Sequence, residues 1–217
     1  YQGHTNWTRA LAFSADGRIL ASSSEDGTVR FWDIQTGNQI AILGPHTHTL
    51  RGMKFSKDGQ RLAICSDDGL IRIYNLPQLL ADASIPSVES HCIQLLRGHT
   101  NWVFSIAYSP DESRMASTSA DGNVRIWDLA TGKCLHILAH EHWVIRTLFS
   151  PDGRQLIVSG MSSMIYVWDT MSGELIKTLS GHLDWVWSID TSTDGNTLIS
   201  AGEDRTIRVW DLRTGVC

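Results

Sequence analysis

Short apolar segments alternate with polar turn residues along the whole chain, and the first repeat of this pattern is the clearest. It contains four segments of strand length: Thr8–Phe13, Ile19–Ser24, Thr28–Asp33 and Gln39–Leu43. The residue pairs between them are Asp16-Gly17, Asp26-Gly27 and Thr36-Gly37. Asp-Gly between apolar segments is a strong hairpin signal, because both central residues of a type I′ turn need positive φ. The pattern therefore predicts four antiparallel strands joined by tight turns, without helical periodicity.

The same pattern returns at a fixed period. A histidine recurs at His4, His46, His99, His140 and His182, and an aromatic residue recurs at Trp32, Tyr74, Trp127, Trp168 and Trp210. Both series advance by 42, 53, 41 and 42 residues, which indicates a repeat architecture. Four strands per period predict an all-β fold, a β-propeller of four-stranded antiparallel blades. Each blade is apolar on both faces and has to be covered by its neighbours.

Several phrases within the repeats resemble the WD-repeat family, and the resemblance covers essentially the whole chain. They are GHTNW at Gly3–Trp7 and Gly98–Trp102, FSPDG at Phe149–Gly153, and the endings VRFWD, VRIWD, IYVWD and IRVWD. The resemblance implies a circular propeller, most often of seven blades. The phrases are also similar to those of bacterial multidomain signalling proteins, in which such propellers act as sensors behind a nucleotide-binding switch domain.

The repeats divide one predicted propeller region, residues 1–217, into five parts: 3–43, 44–96, 97–138, 139–180 and 181–217. In the family the outer strand of a blade precedes the next Gly-His, so we expect four complete blades and a fifth lacking most of its outer strand. Such a region would contact other blades or domains of the same longer chain. Closure as a five-bladed ring is the alternative.

The second repeat contains an insertion at residues 76–94, between its third and fourth strands. Pro77 and Pro86 disfavour a continuous strand there, and Leu79-Leu80 predicts a short helical turn. The insertion is either a surface loop or a second contact surface.

In the family, the repeat histidine belongs to a structural hydrogen-bond network with a strand hydroxyl, the turn aspartate and the WD tryptophan. The matching sets are His4, Ser22, Asp26 and Trp32; His99, Ser117, Asp121 and Trp127; and His182, Ser200, Asp204 and Trp210. Ser24 and Ser119 are alternative hydroxyls. The second repeat departs with Ile64 and Tyr74, and the fourth with Val158 and Ser162, so we expect these blades to be less rigid. A catalytic Ser-His-Asp triad is disfavoured, because the set recurs three times and an active site is needed once.

The resemblance also suggests where a partner binds, on the narrower top surface around the central channel. The residues three positions after the repeat histidines and just before the turn aspartates face that surface in the family. The predicted partner-binding residues are Trp7, Thr49, Trp102, Trp143, Trp185, Glu25, Asp67 and Glu203. Aromatic residues concentrate at binding hot spots, and three carboxylates beside them suit a basic or arginine-containing partner. Packing of blade against blade is the alternative role of the tryptophans, and the place of Arg9 and Arg51 stays open.

Composition narrows the function classes. The net charge of −5 argues against a nucleic-acid partner, and no apolar run has the length of a membrane span. Four isolated cysteines favour a reduced, cytoplasmic setting. No spacing predicts a metal, cofactor or catalytic site. We therefore predict a non-catalytic interaction or sensor module that binds a protein or peptide, within a larger signalling protein. A scaffold or adaptor subunit of a multiprotein complex is the alternative.

Overall fold

The computed structural model describes residues 1–82 and 88–217 and divides them into two compact units, Tyr1–Val103 and Phe104–Cys217. The fold is all-β, as predicted, with five antiparallel sheets whose strands follow one another in chain order. Within residues 1–82 and 88–217, four sheets have four strands and the fifth has three, as predicted for a fifth blade that lacks most of its outer strand.

Unit 1 holds the first two sheets. The first sheet consists of β1 (Thr8–Phe13), β2 (Ile19–Ser24), β3 (Val29–Asp33) and β4 (Gln39–Leu43). The second consists of β5 (Leu50–Phe55), β6 (Arg61–Ser66), β7 (Ile71–Asn75) and β8 (Cys92–Leu96). Between them lies an apolar core that includes Phe31, Leu50 and Leu62.

Unit 2 holds most of the third sheet and the two that follow. The third consists of β9 (Val103–Tyr108), β10 (Arg114–Ser119), β11 (Asn123–Asp128) and β12 (Cys134–Ala139). The fourth consists of β13 (Val144–Phe149), β14 (Gln155–Gly160), β15 (Met164–Asp169) and β16 (Leu175–Ser180). The fifth consists of β17 (Val186–Thr191), β18 (Thr197–Gly202) and β19 (Ile207–Asp211). An apolar core around Ile126 and Leu156 lies between the third and fourth sheets, and another around Val167 and Leu198 lies between the fourth and fifth.

In the turn after β2, one residue has a positive φ, whereas the type I′ turn suggested by the sequence needs two. Gly27 has φ +78° and its N–H donates to the Ser24 carbonyl at 3.2 Å. Among the described residues, the non-glycine residues with positive φ are His91, Glu112 and Arg205. Asp26 therefore keeps negative φ, and the turn is not type I′. The glycine alone takes the left-handed conformation, which spares the aspartate for side-chain hydrogen bonds.

The insertion of the second repeat starts with a short helix, α1 (Leu76–Ala81), where a helical turn was predicted. Asn75 caps it by accepting from the Gln78 N–H at 3.0 Å, and Pro77 lies in its first turn, where proline is tolerated. Leu76 and Leu79 are buried in the core of unit 1, so the insertion is anchored there. Pro86 lies outside the described residues. Within the described ranges, no helix has the length and apolarity needed to cross a membrane.

Candidate functional site

The first repeat contains a continuous hydrogen-bond chain across its sheet. Trp32 Nε1–H donates to Ser22 Oγ at 2.9 Å, and Ser22 Oγ lies 2.7 Å from His4 Nε2. His4 Nδ1 lies 2.8 Å from Asp26 Oδ2, and a carboxylate only accepts, so Nδ1 carries the donated proton. Ser24, the alternative hydroxyl, instead accepts from the Asp26 N–H. These hydrogen bonds connect the segment before β1, which carries His4, to strands β2 and β3.

The fifth repeat reproduces this chain at the same spacing. Trp210 Nε1–H donates to Ser200 Oγ at 2.8 Å, His182 Nε2 lies 2.7 Å from that oxygen, and Nδ1 lies 2.8 Å from Asp204 Oδ2. Burial alone would raise the pKa of the Asp204 carboxyl. Hydrogen bonds from the Leu183 N–H, the Thr206 hydroxyl and His182 outweigh it and hold that pKa well below its usual range. The carboxylate is thereby kept ionised.

These hydrogen-bond chains have the atom order of a catalytic triad, but their serine hydroxyls are not accessible to a substrate. Ser22 and Ser200 are 4% and 2% exposed, and each hydroxyl already receives the indole N–H of the WD tryptophan. A nucleophile has to reach the reacting atom of a substrate, and these hydroxyls face the interior of a sheet. The arrangement is suited to ordering the repeat.

The third repeat is divided between the two units, and each part is described in its own unit. In unit 2, Trp127 Nε1–H donates to Ser117 Oγ at 2.8 Å, while Asp121 accepts from the Asn123 N–H. In unit 1, His99 is buried.

The second repeat replaces the network with a different one. His46 Nδ1–H donates to the Gly27 carbonyl at 3.0 Å, and Nε2 lies 3.1 Å from the Tyr74 hydroxyl. The Val88 carbonyl lies 2.9 Å from the same hydroxyl, whose single proton is donated either to that carbonyl or to His46 Nε2. Burial lowers the pKa of His46 to about 4, so its imidazole is neutral at pH 7.

The fourth repeat has the histidine and the tryptophan of the network but not the serine hydroxyl that links them in the first and fifth repeats. Trp168 Nε1 and His140 Nε2 are buried without a hydrogen-bond partner among the described residues. Val158 occupies the position of the hydroxyl, and Ser162, at the position of the turn aspartate, lies 3.3 Å from the Tyr166 hydroxyl. Burial lowers the pKa of His140 to about 4.

The residues after the histidines lie beside the residues before the turn aspartates. In four repeats the backbone N–H of the second group donates to the carbonyl of the first at 2.8–3.0 Å: Glu25 to Trp7, Asp67 to Thr49, Met161 to Trp143, and Glu203 to Trp185. The two groups therefore share the end of the sheet at which its first strand begins. We call this end, with its residues, the tryptophan edge of each sheet.

All four of the predicted binding tryptophans are exposed. Trp7, Trp102, Trp143 and Trp185 are 69%, 38%, 39% and 40% exposed. The WD tryptophans Trp32, Trp127 and Trp210 are 3%, 1% and 1% exposed. One residue type thus has two separate environments within the repeats.

In unit 1, the carboxylates of the tryptophan edges are paired with the chain's own arginines. Arg9 donates to Glu25, and its guanidinium carbon lies 5.1 Å from the Trp7 ring centre. Arg51 donates from Nε and Nη2 to the two oxygens of Asp67. Its guanidinium carbon lies 4.5 Å from the ring centre of Trp102. These two arginines lie on the tryptophan edges, a position that the sequence left open.

In unit 2, the edge of the fifth sheet has a tryptophan where unit 1 has arginines. Trp187 Nε1–H donates to Glu203 Oε2 at 2.5 Å, and its ring lies 5.9 Å from that of Trp185 in an edge-to-face arrangement. Trp143 packs on Phe104, with ring centres 5.8 Å apart. Trp187 was not among the predicted binding residues. The signal was available, since Arg9 to Glu25, Arg51 to Asp67 and Trp187 to Glu203 all span sixteen residues.

Within the described ranges, no group of three or more histidine, cysteine, aspartate or glutamate side chains could hold a metal ion. The arrangement offers exposed aromatic rings and charged side chains for binding.

Comparison with known proteins shows similarity along most of the chain. Five segments match the sequence profile described as "WD domain, G-beta repeat": residues 1–33, 37–75, 90–128, 132–169 and 173–211.

Three curated proteins illustrate the range of relatives. "Nuclear distribution protein PAC1" of Arthroderma benhamiae is 28% identical over 63% of this chain and 32% of its own length. "Probable E3 ubiquitin ligase complex SCF subunit sconB" of Arthroderma otae is 43% identical over 64% of this chain and 24% of its length. "Striatin-4" of Homo sapiens is 31% identical over 58% of this chain and 18% of its length. The chain thus spans at most about a third of the length of these relatives.

Proposed function

Because this chain belongs to the WD domain, G-beta repeat family, we propose that it is a non-catalytic module that binds a protein or peptide partner through its tryptophan edges. The observation that carries the proposal is the contrast between the two groups of tryptophans. The WD tryptophans Trp32, Trp127 and Trp210 are buried and donate to strand hydroxyls, whereas Trp7, Trp102, Trp143 and Trp185 each expose more than a third of their surface.

Exposed tryptophan supports binding for a physical reason. A large, rigid aromatic ring buries much apolar area at low entropic cost, and tryptophan is enriched at interface hot spots. The alternative, packing of blade against blade, accounts for Trp143 in part, because it contacts Phe104. It does not account for Trp185, which is 40% exposed although the fourth and fifth sheets are both present.

The role takes two forms, which differ in what surrounds the module. One is a sensor within a larger multidomain signalling protein, as the phrases of the repeats suggested. The other is a scaffold or adaptor subunit of a multiprotein complex. The sconB relative is named as a probable subunit of a ubiquitin ligase complex, which supports the adaptor form for this chain.

A capture experiment tests the proposal. The wild-type chain, the double variant Trp102→Ala/Trp185→Ala and the control Ile137→Ala are immobilised, and captured proteins are compared by quantitative mass spectrometry. Ile137 is a suitable control because it is exposed and apolar but lies on the outer strand β12. We expect a partner that both the wild type and the control retain and the double variant loses. The melting temperatures should stay within a few degrees, since only exposed side chains are truncated. Equal capture by all three chains would refute the proposal.

A further inference from the structure

The edge of the fifth sheet carries an open aromatic corner formed by Trp185 and Trp187. Their rings are 5.9 Å apart at an interplanar angle of 78°, and the two side chains are 40% and 39% exposed. The rings therefore present a face and an edge to solvent at the same place. A flat side chain can pack there with little further rearrangement.

The corner has unbalanced negative charge. Glu203 Oε2 accepts from Trp187, and Oε1 accepts no hydrogen bond from any described residue. A second carboxylate, Asp184, accepts from the Trp185 backbone N–H at 2.8 Å, where the first and third repeats have asparagine. Arg205, two residues after Glu203, forms no ion pair with it in the described structure. The corner thus offers a carboxylate oxygen that lacks a cation.

The second repeat shows how the chain fills the equivalent positions. Arg51 stands where the fifth repeat has Trp187, and Asp67 stands where it has Glu203. The Arg51 guanidinium bonds to both Asp67 oxygens, and its central carbon lies 4.5 Å from the ring centre of Trp102. Trp102 belongs to the following repeat, and Thr49 stands where the fifth repeat has Trp185. The first repeat is the direct counterpart, because Arg9 donates to Glu25 and its guanidinium carbon lies 5.1 Å from the ring centre of Trp7 in the same repeat. A carboxylate and a tryptophan of one repeat hold a guanidinium there, and the fifth repeat supplies both groups without an arginine of its own.

We propose that Trp185, Trp187 and Glu203 form a receptor for an arginine side chain of the partner. The guanidinium donates to Glu203 and stacks on an indole, which combines a charge-assisted hydrogen bond with a cation–π contact. Arginine suits the corner better than lysine, because a planar guanidinium donates in a fixed fork while it stacks. The edges of the first two repeats do not compete for it, since Arg9 and Arg51 already neutralise Glu25 and Asp67. This inference rests on the proposed binding function and specifies its partner chemistry.

The test uses the full chain with ¹⁵N-labelled tryptophan and follows the indole N–H signals by NMR. The probe is the tripeptide acetyl-Gly-Arg-Gly-amide. The control is its citrulline counterpart, which keeps the shape and loses the charge. We expect saturable shifts of the Trp185 and Trp187 signals with the arginine peptide, with affinity in the millimolar range. The citrulline peptide and the variant Glu203→Gln should each weaken binding by about tenfold, because the charge-assisted bond is lost.

Two further variants make the result decisive. Arg51→Ala should create a second site, seen as new shifts of the Trp102 signal with the same probe. Glu141→Gln, a charge-matched control on an exposed loop residue of unit 2, should leave binding unchanged. Equal shifts with arginine and citrulline, or unchanged binding in Glu203→Gln, would overturn the arginine receptor. If Trp102→Ala/Trp185→Ala still loses its captured partner in that case, the interaction role stands and only the arginine chemistry is wrong.

Discussion

At the scale of single residues, the repeats show what one side chain adds to a common framework. Ser200 joins Trp210 to His182 in the fifth repeat, and Val158 interrupts the same chain in the fourth. A buried donor without a partner costs about 1–3 kcal/mol, whereas a made hydrogen bond returns about 1 kcal/mol. The fourth repeat therefore gives up stability that a single hydroxyl can restore.

Val158→Thr should raise the free energy of unfolding by about 1 kcal/mol, because the new hydroxyl accepts from Trp168 Nε1 and meets His140 Nε2. Chemical denaturation measures the change. Ile64→Thr is the matched control in the second repeat, where Tyr74 replaces the tryptophan and its hydroxyl already lies within hydrogen-bond distance of Val88 and His46. It should be destabilising, since the hydroxyl has no such partners to gain. The explanation fails if both variants change stability in the same direction by the same amount.

The free energy of unfolding should decrease as the pH is lowered, over the range in which His46 and His140 are neutral in the folded chain and protonated in the unfolded chain. Burial lowers the pKa of His46 and of His140 to about 4, whereas an unfolded histidine titrates near 6.5. Between these values the unfolded chain binds more protons than the folded chain, so the free energy of unfolding decreases as pH falls from about 6.5 to 4. The loss approaches roughly 3 kcal/mol for each histidine at the acid end.

His140→Phe should remove one of these two contributions, which makes its denaturation midpoint less sensitive to pH than that of the wild type. Urea titrations at several pH values from 4 to about 8 measure both slopes. Identical slopes would show that His140 is not neutral in the folded chain.

At the scale of elements, glycine in the turns sets the conformation that the hairpins need. Gly27 has φ +78°, and a Cβ built there would lie 2.3 Å from the His46 carbonyl oxygen. Arg205 takes the same place in the fifth repeat with φ +64°, although it is not a glycine. A non-glycine residue in the left-handed region costs about 1–2 kcal/mol.

Arg205→Gly should therefore stabilise the chain by about 1 kcal/mol, because it relieves this backbone cost. Gly27→Ala is the reciprocal change and should be strongly destabilising, since it adds both the strained φ and a clash with backbone. Thermal unfolding of the two variants and the wild type measures whether each change raises or lowers the melting temperature. A destabilised Arg205→Gly variant would contradict the assignment of strain to that turn.

At the scale of the whole molecule, equivalent residues of different repeats differ in burial according to the position of their sheet in the series. Ile165, Val167 and Ile157 of the fourth sheet are fully buried against the fifth. Their counterparts on the fifth sheet, Ile207, Val209 and Ile199, are 77%, 56% and 47% exposed. Stability of the fourth sheet thus depends on its neighbour, as expected when repeats contact adjacent repeats.

Ile165→Ala should cost about 2–5 kcal/mol, because it opens a cavity between two packed sheets, while Ile207→Ala should change stability by less than about 0.5 kcal/mol. Denaturant midpoints for this matched pair test the difference. Similar losses in both variants would mean that the fifth sheet is covered in solution.

The strands could be predicted closely, and the side-chain pairing could be predicted in part. The segment Thr8–Phe13 is β1 as expected. The third strand starts at Val29 and not at Thr28, because the Thr28 N–H and hydroxyl bond to Asp26. The repeat register placed Trp185 and Glu203 on one edge. It could not show which carboxylates the chain neutralises itself, since that depends on side-chain direction across strands.

The central claim is that the exposed tryptophans bind a partner while the buried ones hold the fold. The most direct measurement is partner capture together with the melting temperature for Trp185→Ala and Trp210→Ala, both from the fifth repeat. We predict that Trp185→Ala loses the partner and keeps the melting temperature of the wild type. Trp210→Ala should lose about 3–5 kcal/mol of stability, because a buried ring and its hydrogen bond are removed. A Trp185→Ala chain that captures the partner as well as the wild type would contradict the claim.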